Sequence, residues 1–88
     1  MDDKIIEDIL TERIRQDGKW GEQNHFELKW LAILMEEVGE VAEVANEIHP
    51  TINTGKAGLK QYKDLRKELI HVAATCVAWM ESLDRREL

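Results

Sequence analysis

Four residues able to hold a metal ion recur at matched spacing: Glu37 and Glu40, then Glu68 and His71. Positions i and i+3 are neighbours on a helix surface, so each pair can grip one ion if its segment is helical. At about 100° per residue, Trp30, Leu34, Val41 and Ile48 fall within roughly 60° of Glu37, and Ile33 and Val44 flank its other side. Glu37 therefore lies inside an apolar arc. The pattern repeats around Glu68, with Leu65, Val72 and Trp79 within roughly 60° of it. Glu40 and His71 occupy the same edge of their respective arcs, while Glu36, Glu43 and Glu47 turn further toward water.

A carboxylate is costly to bury alone, so such groups neutralise, pair or bind a cation. Neither arc contains a Lys or Arg; Lys29, Lys63, Arg66 and Lys67 lie outside or at the far flank. Three glutamates and one imidazole suit magnesium or manganese, provided the two segments pack antiparallel and the four side chains converge. Interhelical hydrogen bonds or salt bridges among the same groups are the alternative without metal.

The elements that must position these residues are helices. Ile5, Ile6, Ile9, Leu10 and Ile14 predict a first helix over about Asp3 to Gln16, stopped by Asp17-Gly18. The stretch Gly18 to Gln23 reads as loop. Asn24 and Glu27 have the spacing of a capping box that opens a second helix running to about Ile48, before Pro50. A loop through Thr51, Asn53, Thr54, Gly55 and Gly58 leads to a third helix, about Leu59 to Leu83, with a frayed, charged end. No alternation of the strand type occurs. The expectation is an all-α domain spanning residues 1–88: a short helix plus two long antiparallel helices, each of about 24 residues and roughly 36 Å. The short helix cannot cover both rods. A homodimer or homotetramer is expected, completing a four-helix-type bundle.

Composition excludes several classes. At 43% hydrophobic and 34% charged, the chain is neither disordered nor membrane-spanning, and its start, Met1-Asp2-Asp3-Lys4, lacks the cationic and apolar segments of a signal peptide. A cytoplasmic protein is expected, without a membrane partner. One cysteine, Cys76, allows no internal disulfide and no multi-cysteine zinc site, and reads as core together with Trp30 and Trp79. A net charge of −6 argues against a nucleic-acid partner, which needs clustered cations. It leaves room for a small phosphorylated ligand held through metal ions.

Glu36-Glu37-Val38-Gly39-Glu40 with Glu68-Leu69-Ile70-His71 resembles the EExxE…ExxD signature of the MazG-like all-α nucleoside triphosphate pyrophosphohydrolases, a superfamily that includes dimeric dUTPases and dCTP pyrophosphatases. Upstream, Trp20-Gly21-Glu22-Gln23-Asn24-His25 looks like the Trp-Glu-Gln-x-His segment found before the same motif. The likeness covers roughly residues 13–83. It implies hydrolysis of a nucleotide between its α and β phosphates, giving a monophosphate and pyrophosphate, with magnesium held by Glu37, Glu40 and Glu68. His71 stands where the family has Asp, and imidazole tolerates manganese, zinc or iron better than it does magnesium. By the same resemblance Trp20, Gln23 and His25 line a nucleoside pocket. Glu36 is then a candidate to orient the attacking water, or a surface residue. Lys56, Lys60 and Lys63 are candidates to clamp the outer phosphates.

Two other classes compete. Glu68-x-x-His71 is the ExxH arrangement of dimeric di-iron carboxylate bundles. A non-catalytic helical interaction module of the same fold would keep the bundle and lose the chemistry through His71.

Overall fold

The computed structural model describes residues 1–48 and 56–86. Three helices make up the fold: α1 (Asp3–Trp20), α2 (Glu27–Glu47) and α3 (Lys56–Arg85), and among the described residues there is no strand. The expected stop at Pro50 and the loop through Thr51, Asn53, Thr54 and Gly55 lie outside the described residues. None of the helices described is long and apolar enough to cross a membrane.

The first helix is not short. It carries 18 residues against 21 in α2, because Asp17-Gly18 does not end it. The stop comes at Gly21, whose φ of 71° is a left-handed value that favours glycine and whose N–H donates to the Asp17 carbonyl at 2.8 Å. At the other end the Asp2 side chain accepts from the Lys4 N–H at 2.8 Å, an N-cap bond. The capping box expected at Asn24 is also absent. Phe26 occupies the N-cap of α2 without a side-chain bond, and Asn24 Oδ1 instead accepts from Arg85 Nε at 2.9 Å.

The third helix, at 30 residues, is the spine. Both α1 and α2 pack against it, and their backbones do not approach each other. Trp30 stacks on Trp79, while Glu37 approaches His71, so α2 and α3 run antiparallel. Asp8 meets Arg66 and Glu12 meets His71, so α1 runs parallel to α3. The result is a central rod with two flanking rods and a gap between them.

The core is small. Trp30 (1% exposed), Ala74 and Ala78 are the buried apolar residues among those described, with Thr75 and Ser82 beside them on α3. The first helix shows a reversal. Ile6, Leu10 and Ile14 stand exposed, and its buried residues are Glu12, Arg13 and Gln16. Arg13 explains this, since its guanidinium donates to Glu81 on α3 at 2.6 Å, to Gln16 at 2.9 Å and to Asp17 at 3.0 Å. A planar fork with several acceptors seats α1 by charge where the isoleucine stripe would have seated it by apolar contact.

Candidate functional site

Antiparallel packing of α2 on α3 brings Glu37, Glu40, Glu68 and His71 together, each offering one ligand atom, with these atoms all within 4.8 Å of one another. His71 Nδ1 lies 3.3 Å from Glu68 Oε2 and 4.0 Å from Glu37 Oε2. Both of those oxygens are buried and accept no hydrogen bond. Two orphaned carboxylate oxygens facing one imidazole nitrogen fit a divalent cation, which would satisfy all three at once. Burial pushes the Glu37 carboxyl above its usual range, and the neighbouring charges of Glu40 and Glu68 push the same way while His71 opposes them.

Sequence reasoning missed the α1 contribution. Glu12 Oε1 approaches His71 Nε2 at 3.7 Å, on the side of the ring away from the cluster. Hydrogen bonds from Arg15, at 2.8 Å to each carboxylate oxygen, hold Glu12 below the usual range in spite of its burial. The only sequence signal was a polar i, i+3, i+4 group, Glu12, Arg15 and Gln16, on a helix judged by its isoleucines.

A cleft of about 480 Å³ opens beside the cluster in the gap between α1 and α2, floored by α3. Trp20, Gln23, His25, Trp30, Glu36 and Glu37 are among its walls. That volume lies in the range of small-molecule sites. Trp20 ends α1 about half exposed, with Lys19 Nζ 4.7 Å from its ring centre and Arg15 Cζ at 5.7 Å. His25 Nε2 is 2.9 Å from Gln23 Oε1, and the His25 ring meets Trp30 edge-on at 4.9 Å. Trp30 therefore serves core and cleft together.

The segment that carries Gln23 and His25 has no helix of its own, and the end of α3 holds it. Arg85 donates to Asn24 Oδ1 and to the Gln23 carbonyl, both at 2.9 Å, and approaches Glu22 at 3.2 Å. Arg86 donates to Glu27 at 2.6 Å and to the His25 carbonyl. The end expected to fray is thus a clamp, because its two arginines find carbonyl and carboxylate acceptors across the fold.

Among the lysines proposed for outer phosphates, Lys60 pairs instead with Asp64 at 3.0 Å and lines neither the cleft nor the groove between α1 and α3. Lys56 begins α3, but its side chain lies outside the described residues. Lys63 lines the α1–α3 groove, which also reaches Glu12 and His71. Comparison with family models, curated proteins and solved structures returns no match for this chain.

Proposed function

We propose that this chain is a divalent-metal-dependent nucleotide pyrophosphohydrolase that converts a (deoxy)nucleoside triphosphate to the monophosphate and pyrophosphate. The observation that carries the reading is adjacency. A four-residue cluster with two orphaned carboxylate oxygens opens onto a cleft walled by aromatic, amide and imidazole groups. The motif resemblance supplies the reaction, and the cleft supplies a place for a base.

In this reading Glu37, Glu40, Glu68 and His71 hold magnesium or manganese. When bound, the metal supplies charge neutralisation for phosphate oxygens and a more acidic water. The chain's own residues do the rest. Trp20, about half exposed, and Trp30 line the cleft and offer aromatic surface to a base. Gln23 and His25 present hydrogen-bonding edges, and Arg85 and Arg86 fix the backbone that carries them. The Glu36 carboxylate, on the cleft wall, accepts a hydrogen bond from the attacking water and orients it.

The functional form is a homo-oligomer. A compact monomer of 10.2 kDa should expose about 5,300 Å². This chain exposes 6502 Å². Its radius of gyration is 15.1 Å, where about 12 Å is expected for this length. On α2, Leu28, Leu31, Met35 and Val38 follow a 3-4-3 spacing and are all exposed. On α3, Leu69 and Met80 are exposed as well. Such stripes are the seams along which helices pair.

The test is pyrophosphate release from a panel of canonical and modified nucleotides, with magnesium and manganese in parallel. Wild type should release pyrophosphate, and Glu68→Gln should not. Silence across the panel with both metals would overturn the reading. Visible absorption after iron loading and exposure to oxygen would put the di-iron reading in its place.

A further inference from the structure

The groove between α1 and α3, on the far side of His71 from the cleft, carries cations in an otherwise acidic chain. Arg15, Lys63, Arg66 and Lys67 line it, with Asp8 and Glu12, and its volume is about 610 Å³. The net charge of the whole chain is −6, so a third of its 12 Lys and Arg residues gather at one depression. The two arginines are already held in place. Arg66 donates to Asp8 at 2.7 Å and Arg15 makes two bonds to Glu12, which neutralises both acids of the groove. Lys63 and Lys67 are exposed and, among the described residues, pair with no acid. They sit at i and i+4 on α3, where like charges repel and cost helix stability. A groove with two neutralised arginine pairs and two free ammonium groups has a local excess of positive charge with no internal acid to meet it.

Its position gives that excess a use. Glu12 and His71 belong to the groove wall, His71 belongs to the cluster, and Glu37 belongs to both cluster and cleft. Cleft, cluster and groove therefore follow one another across the molecule. We infer that the groove is a polyphosphate subsite that takes the phosphates of a nucleotide distal to the cluster, with Lys63 and Lys67 as their principal contacts. The inference rests on the proposed function for the identity of the ligand, and it makes triphosphates preferred over diphosphates, because the extra phosphate adds charge for the two lysines to meet. Lysine suits this task as a mobile point charge, and the paired arginines leave further N–H donors at the rim.

The experiment is calorimetry with inorganic tripolyphosphate on metal-free protein in EDTA, at low salt, so that neither metal nor turnover is needed. Wild type should bind. Lys63→Gln with Lys67→Gln should weaken binding by about tenfold or more, as expected for losing two charge-assisted contacts. Lys63→Arg with Lys67→Arg should restore it. Both sites are exposed, so the fold is undisturbed, which a melting temperature no lower than that of wild type checks. Equal binding by wild type and the Gln double variant overturns the inference, as does equal affinity for an acidic polypeptide such as polyglutamate. No binding by wild type overturns it too. A chain that fails to hydrolyse nucleotides yet binds tripolyphosphate through these lysines would lose the catalytic reading and keep the subsite.

Discussion

Glu37 concentrates the tension at the site. Its carboxyl is partly desolvated among other acids, and burial is the main reason it holds its proton to higher pH than usual. In the metal-free protein, removing that charge should help folding. Glu37→Gln is expected to stabilise it by on the order of 1 kcal/mol, read by urea denaturation in EDTA. The same variant should lose the response to manganese. Wild type should gain about 10 °C or more in melting temperature at a hundredfold excess of metal over its Kd. The pH dependence has a definite sign. The folded protein binds the Glu37 proton more tightly than the unfolded chain, so this residue's contribution to metal-free stability falls as pH rises above the ordinary glutamate value of 4.5. Glu12 acts oppositely. Its carboxyl is held low by Arg15, so its contribution is present above 4.5 and is lost as pH falls below that value. Denaturation across a pH series should show the decline toward neutrality in wild type and its loss in Glu37→Gln.

At the scale of elements, the connection between α1 and α2 depends on the far end of α3. Arg85→Ala with Arg86→Ala removes the arginine hydrogen bonds that tie that connection to the end of α3 and frees the backbone of Gln23 and His25. Hydrogen exchange over residues 22–27 should then accelerate, and nucleoside affinity should fall several-fold while the cluster residues keep their protection. These arginines also mark the limit of what periodicity can reveal. The arcs of α2 and α3 were legible because Trp30, Leu34, Val72 and Trp79 recur at helical spacing, which puts Glu37 and Glu68 inside apolar arcs that converge if the helices pack antiparallel. The isoleucine spacing foretold helix α1 and its start at Asp3, but not its end or the face it buries. What seats it is the Arg13 to Glu81 bond, a contact 68 residues apart in sequence that no local rule reports. The capping box at Asn24 failed for the same reason, since Arg85 claims that side chain from 61 residues away.

At the scale of the whole molecule, the exposed α2 stripe is the feature that a single chain leaves unexplained. Met35→Glu places a charge in the middle of it, two residues from Glu37 in sequence but on the opposite flank of the helix. Sedimentation should find wild type as a dimer or larger assembly and this variant as a monomer of lower stability. A wild type that sediments as a 10.2 kDa monomer at micromolar concentration would sink the oligomer proposal. The gap between α1 and α2 has a different consequence. The two walls of the cleft stand on rods whose backbones do not approach each other, and α1 is joined to the spine by ion pairs at Arg13–Glu81 and Asp8–Arg66 as well as by packing. Rocking α1 outward therefore breaks no backbone contact between the walls, but it must strain the Arg13 to Glu81 bond and the packing of α1 on α3. Under the proposed function, the width open to a one-ring or two-ring base would depend on how firmly the Arg13 to Glu81 bond holds one wall, so a change at Arg13, which does not line the cleft, should alter base preference.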